Sequence, residues 1–221
     1  MTEPGRSPQG STKDSDGQVS PVTPPVMRIG ELLILAGLWM LFGFMVWYYA
    51  SAWHGAPVRL ASEWLLASTI GEALLGIVPN PDQAYVFLVQ TRIPFTFPDG
   101  SREALGFLVN PLVFGYGLPL LFGLTMATEL RLRSKMLILL AGYGVILAVQ
   151  TWGVYWESLK TLLYDFGPEA RAVVLDAGVP ENLVALCYQL GVLILPPLAP
   201  VIVWVIGNRA ELQRFIEQGP D

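Results

Sequence analysis

The stretch Asn110-Pro111-Leu112-Val113-Phe114-Gly115-Tyr116-Gly117-Leu118-Pro119-Leu120 divides the chain into two kinds of sequence. Before it the residues are polar and alternate as strands do; after it they run apolar to Thr128 without a charge. Asn110 is suited to cap a helix that starts at Pro111, because proline at a first helical position gives up an amide that would have no partner there. The stretch therefore predicts the point where an extramembrane module ends and a membrane helix begins. Gly115 and Gly117 clear one turn of side chains and let a neighbouring helix approach closely. Pro119 leaves one carbonyl without its amide and kinks the helix. Asn110, Pro111, Gly115, Tyr116, Gly117 and Pro119 are thus candidates for docking another membrane protein, while a capped, bent and internally packed helix is the simpler reading of the same six residues.

Outward from this stretch the composition is that of an integral membrane protein. The chain has 221 residues, of which 53% are hydrophobic and only 14% charged, with a mean hydropathy of +0.50; a soluble domain carries about a quarter charged residues. The lipid bilayer is its first partner. A formal charge of −5 and a pI near 4.9 argue against nucleic acid, because phosphate binding needs a basic surface. One cysteine, Cys187, excludes an internal disulfide and any CxxC site, and one histidine, His54, excludes a cluster of histidines around a metal. No cofactor or metal site is expected.

The hydrophobic runs predict an all-α membrane bundle of four transmembrane helices, with an extracytoplasmic interfacial helix and a small β-hairpin between the first and second. The spans are residues 32–53, 111–128, 136–156 and 183–206; the first and third end in aromatic clusters (Trp47, Tyr48, Tyr49 and Trp53; Trp152, Tyr155 and Trp156) suited to a membrane interface. Residues 1–31 read as a disordered tail, too poor in apolar surface to offset the entropy of ordering, and residues 207–221 as a second tail. The short connection 129–135 holds Arg131, Arg133 and Lys135, and short basic loops stay in the cytoplasm. Both termini are then cytoplasmic. Segments 54–110 and 157–182 face outward, carrying Arg59, Arg92, Arg102, Lys160 and Arg171 against ten acids (Glu63, Glu72, Asp82, Asp99, Glu103, Glu157, Asp165, Glu169, Asp176 and Glu181), which makes that face acidic.

Within the first outer segment, Pro57 to Val78 projects Leu60, Trp64, Ala67, Gly71, Leu74, Leu75 and Val78 onto one helical arc. This predicts a helix on the membrane surface, or one packed into a core. Ala84–Gln90 alternates as a strand, Ile93, Phe95 and Phe97 alternate again, Pro98-Asp99-Gly100 turns, and Leu105, Phe107 and Val109 return into Asn110. An isolated hairpin is marginal in water, so this one needs the preceding helix, the bilayer or a partner to lean on. The second outer segment is a connecting cap with a short helix from Glu169 to Asp176.

None of the four expected spans holds Asp, Glu, Lys, Arg or His in its interior. Pumps and ion-coupled transporters need titratable groups there, so transport is disfavoured; Gln150, Gln189, Tyr116, Tyr143 and Tyr188 suit hydrogen bonds between helices better. A thiol enzyme is the rival reading. Cys187 lies one turn into the fourth span and His54 just beyond the first, at similar depth, but a lone cysteine in an apolar helix is commonly an inert small hydrophobe. The outer carboxylates read as solvated surface acids.

The run Glu103-Ala104-Leu105-Gly106-Phe107-Leu108-Val109 followed by Asn110-Pro111 and Phe114-Gly115-Tyr116-Gly117-Leu118-Pro119, together with the layout from Leu32 to Ile206, resembles the exosortase H-associated membrane proteins. These are small multi-pass proteins of Gram-negative bacteria. The resemblance implies a companion of a membrane cysteine transpeptidase-like enzyme that processes C-terminal sorting tails. The chain does not resemble the enzyme: an exosortase cysteine precedes small residues and pairs with arginine and histidine, whereas Cys187 precedes Tyr188-Gln189 and the spans hold no arginine. The family brings no catalytic residues with it. The expected function is therefore a non-catalytic accessory protein contacting the exosortase or its sorting-tail substrate. The alternatives are a thiol enzyme using Cys187 and a structural subunit of another envelope complex.

Overall fold

The computed structural model describes residues 29–96, 100–209 and 213. In chain order the elements are α1 (Ile29–Tyr49), α2 (Ser51–Ile70), β1 (Leu74–Pro79), β2 (Phe87–Thr96), β3 (Arg102–Val109), α3 (Leu112–Gly115), α4 (Gly117–Ala127), α5 (Leu132–Tyr164), α6 (Pro168–Asp176), α7 (Glu181–Gln189) and α8 (Leu195–Gly207). The apolar runs are helical because a chain in lipid must satisfy its own amides and carbonyls. Three helices, Gly30–Tyr49, Leu132–Tyr164 and the continuous Glu181–Gly207, are long and apolar enough to cross a membrane, and Leu112–Ala127 is apolar but shorter.

At 33 residues, α5 is about 50 Å long, well beyond the roughly 30 Å hydrocarbon layer. Its last turns form a post outside the apolar bundle. Leu159, Leu162 and Leu163 are buried there with Leu66 and Ile70 of α2, with Phe87, Val89, Phe107 and Val109 of the strands, and with Ala170 and Val174 of α6. The hairpin therefore leans on α2, on the projecting end of α5 and on α6. At the opposite end of the bundle α4 turns into α5, and Lys135 Nζ donates to the Met126 carbonyl at 2.9 Å, a cation placed on the C-terminal carbonyls of α4.

The sheet has three antiparallel strands in the order β1-β2-β3, one more than the hairpin predicted. The extra strand comes from the far end of the expected Pro57–Val78 helix. That helix instead stops at Ile70, where Gly71 adopts φ +55 and a short 3-10 turn follows. Leu74, Leu75, Ile77 and Val78 then lie in a strand, with Leu74 and Ile77 buried and Leu75 and Val78 exposed. A short apolar run fits either period, and the β-branched pair Ile77-Val78 favours the strand. Residues 84–86 form a turn ahead of β2, in which Asn80 N–H donates to the Val86 carbonyl at 2.8 Å.

Helix ends differ from expectation in the same way. The first apolar helix closes at Tyr49, and Trp53 belongs to α2. The third begins at Leu132 and runs on to Tyr164, so that it includes Glu157 and Lys160 beyond the expected span. The fourth starts at Glu181 and passes through a π-helical turn at Leu190–Ile194. Pro196 and Pro197 have no amides to give to the carbonyls four residues earlier, which is the local reason for that wide turn. The expected tail over residues 1–31 falls almost wholly outside the described residues, as do most of the turn at Pro98-Asp99-Gly100 and most of the tail 207–221.

Leu159, 0% exposed, and Leu137, 68% exposed, give a direct check on the α5 post. Leu159→Ala should cost about 2–5 kcal/mol and Leu137→Ala no more than about 0.5 kcal/mol, read as shifts in the denaturation midpoint of the purified protein in detergent.

Candidate functional site

The helix start at residues 110–119 forms around three local facts. Asn110 Oδ1 accepts the Leu112 N–H at 3.1 Å, the expected cap. Pro111 has helical backbone angles, φ −65 and ψ −17, and the next two amides close tight turns, Val113 N–H to the Asn110 carbonyl at 3.3 Å and Phe114 N–H to the Pro111 carbonyl at 3.2 Å. The helix is interrupted for one residue at Tyr116, which keeps near-helical angles, φ −65 and ψ −10. Pro119 sits in the first turn of α4, and the amide it lacks is the one that would have bonded the Gly115 carbonyl.

Gly115 and Gly117 allow this broken segment to press onto its neighbours. A side chain at Gly115 would overlap Gln150, which is fully buried and donates from Nε2 to the Pro111 carbonyl at 3.2 Å. A Cβ at Gly117 would lie 2.6 Å from the Pro196 carbonyl oxygen and 3.0 Å from Ile146 Cδ1. The break at Tyr116 thus lies against the start of α8, and both touch α5 through Gln150 and Ile146. Of the six candidate docking residues, Pro111, Gly115, Gly117 and Pro119 are buried and Asn110 and Tyr116 are half-buried. The small-residue contacts they make are with the chain's own helices.

Beside this segment, the start of α2 and the middle of α5 bring together two polar side chains that the sequence leaves far apart. His54 Nδ1 lies 3.3 Å from Tyr143 Oη. Its other nitrogen, Nε2, and Gln150 Oε1 are both buried without a hydrogen-bond partner. Burial lowers the His54 pKa below its ordinary value, and the neighbouring Gln150 side chain works against that shift. Gln150 is close enough to the ring to influence its charge but is not aligned as a hydrogen bond. The same histidine borders an apolar crevice of about 790 Å³, lined also by Phe42, Trp47, Trp53, Pro119 and Tyr143.

Cys187 is elsewhere. It is buried in the apolar core of the sheet-side module, where its carbonyl accepts from Trp152 Nε1 at 3.0 Å, and no hydrogen bond joins it to His54. Among the outer acids, Glu181 pairs with Arg171, and Asp165 with Lys160 at 2.8 Å. Glu157 departs from the expected solvated acid: its Oε2 is buried without a partner on the flank of α5. Sequence reasoning picks out Gln150 and Tyr143 as interhelical groups, but not their meeting with His54, which depends on how α2 folds back over α5.

His54 makes a pH test possible. A histidine whose folded pKa is lowered binds fewer protons in the folded state than in the unfolded one. Stability is then complete above the ordinary value of 6.5 and declines as pH falls below it toward the folded value. Denaturation midpoints should be lower at pH 5 than at pH 7.5, and His54→Phe should remove that part of the dependence.

No curated protein and no solved structure matches the chain. The family described as exosortase H-associated membrane protein matches residues 27–211, which take in every helix and strand described above. With apolar helices long enough to cross a bilayer and a match over most of its length, the chain belongs to the exosortase H-associated membrane proteins.

Proposed function

We propose that the chain is a non-catalytic accessory protein of the bacterial inner membrane that assists exosortase-dependent protein sorting. In this reading it offers its outer sheet, held in place by the helix start at Asn110–Pro119, to the exosortase or to the sorting tail of a substrate.

The observation that carries the reading is an asymmetry between the two sheet edges. Open edges bond readily to other chains, and proteins cover those they do not use. The β1 edge is covered: Arg59 Nη1 donates to the Ile77 carbonyl at 2.7 Å, and Ile77 N–H donates to Glu63 Oε2 at 3.3 Å. Because Ile77 turns these groups toward α2, its pair Val89 turns its own toward Phe107 of β3, and the alternation of antiparallel pairs then points the backbone groups of Gly106 and Leu108 off the far edge. Among the described residues nothing bonds to them there. An extended segment of a partner could add to this edge as a fourth strand, and β3 runs straight into Asn110 at the bundle.

Several features support the topology that goes with this role. Gly43 of α1 packs by Phe122, and Ala36 and Met40 by Gly123, so α4 runs antiparallel to α1 as a fourth crossing would. Arg131, Arg133 and Lys135 lie at the end of the bundle away from the sheet, which favours cytoplasmic termini and an outward sheet. On α2, Trp53, Leu60 and Trp64 are exposed at helical spacing, a stripe suited to the membrane interface. Cys187 is buried in the apolar core, a setting that suits a small hydrophobe better than a nucleophile.

Deleting the protein should impair processing of sorting-tail substrates, and unchanged processing would remove the proposal. Leu108→Pro, which takes one amide from the free edge and none from the β2 ladder, should leave the denaturation midpoint near that of the unaltered protein while sharply reducing the exosortase or substrate recovered with it in mild detergent.

A further inference from the structure

The sheet face opposite Ile77, Val89 and Phe107 is graded along its strands. Val78 of β1 pairs with Leu88 of β2, and Leu88 with Leu108 of β3, so three aliphatic side chains stand in one row across the sheet. Val78 and Leu108 are 36% and 56% exposed, and Leu88 is half-buried, leaning toward Gly106. The next row is Gly76, Gln90 and Gly106, one amide between two bare positions. Charge appears only beyond it, at Arg92, Arg102 and Glu103. Leu75, in the bulge of β1, is an exposed apolar exception.

The aliphatic row lies at the bundle end of the sheet. One residue further on, Val109 leads into Asn110, and its pair Phe87 lies against Gly55 near the start of α2. In the β1–β2 loop the Tyr85 ring meets that of Tyr48, with centroids 6.1 Å apart. Tyr48 and Tyr49 are exposed at the end of α1, a helix apolar enough to cross a membrane and only 11% buried over that stretch, and exposed tyrosines at such an end suit the membrane interface. Asp82, the one charge of the loop, is exposed, as a group among headgroups has to be.

We propose that this face of the sheet rests in the bilayer interface, with the Val78–Leu88–Leu108 row at the hydrocarbon edge and Gln90 among the headgroups. The spacing fits. Two residues along a strand advance about 7 Å, and one headgroup layer is about 5–8 Å thick. A row at the hydrocarbon edge therefore puts Gln90 at headgroup level and Arg92, about 13 Å from Leu88 along the strand, in water. A protein partner has no cause to sort polarity by distance from the bundle, whereas a bilayer grades from hydrocarbon to headgroup to water in that order. Lipid then supports one face of the sheet while α2, α5 and α6 support the other. The far edge of β3 keeps its backbone groups free, because they lie in the plane of the sheet. The contact is independent of the accessory role: it needs only the folded chain in a bilayer.

The test uses the full chain in vesicles of phosphatidylethanolamine and phosphatidylglycerol, with a nitroxide on one introduced cysteine at a time: Val78→Cys, Leu108→Cys, Gln90→Cys and Ala104→Cys. Cys187 is buried, so the unaltered protein serves as the unlabelled control. All four positions are outside the buried core, and the labelled variants should keep the denaturation midpoint. Each label is then relaxed by oxygen, which concentrates in lipid, and by a water-soluble nickel chelate. The ratio of oxygen to nickel accessibility should be several-fold higher at Val78→Cys and Leu108→Cys than at Ala104→Cys, with Gln90→Cys between them. The proposal is overturned if the labels at 78 and 108 are as open to the nickel chelate as the one at 104. It is equally overturned if they are shielded from both reagents and broadened by a neighbouring label, which would assign the face to a second copy of the chain.

Discussion

A helix that is about 50 Å long cannot be contained in a hydrocarbon layer of roughly 30 Å, and the arrangement of this protein follows from what α5 does with the excess. Its lower part packs against α4 and α8 through Gly142, Ile146 and Ile138. Its upper turns, with Leu159, Leu162 and Leu163, supply the apolar surface that a three-stranded sheet lacks when it stands alone. One helix, long and apolar enough to cross a bilayer, thus supports both the apolar bundle and the sheet. The sheet is neither a separate domain on a linker nor a surface loop; it is built onto the end of a membrane helix.

The second constraint is the meeting of two interrupted helices on α5. Proline removes amides at Pro119 and at Pro196 and Pro197, and the ladder opens at Tyr116 and at Leu190–Ile194. Backbone groups freed in an apolar interior need partners. Gln150 adds a side-chain bond beside them by donating to the Pro111 carbonyl, which also accepts from Phe114 N–H, and Gly115 and Gly117 let the neighbouring segments come close. This polar knot holds the junction between sheet and bundle, with His54 and Tyr143 on its border. The glycine pattern near Asn110 accordingly serves contacts inside the chain.

The edges of the sheet connect this architecture to the family. Arg59 and Glu63 are a turn apart on α2 and cover the Ile77 edge; among the described residues nothing comparable covers Gly106 and Leu108. A protein of a family associated with exosortase H therefore carries a sheet with one edge covered by its own side chains and the other uncovered among the described residues.

Much was determined by the sequence alone. Charge-free runs place the apolar helices, because lipid tolerates little else, and Asn110-Pro111 marks where the module gives way to the bundle, because capping is local chemistry. The alternation through Phe87–Val109 marks the β2–β3 hairpin for the same reason. Tertiary structure alone decided the rest. Leu74–Val78 is apolar on both faces and reads equally well as helix or strand until β2 offers it a ladder. The length of α5 is set by the sheet and α6 that bury its end, since Glu157 and Lys160 argue against continuing an apolar helix. His54, Tyr143 and Gln150 are up to 96 positions apart in the chain. They meet because helices of fixed rise are packed side by side, a long-range relation that no residue pattern records.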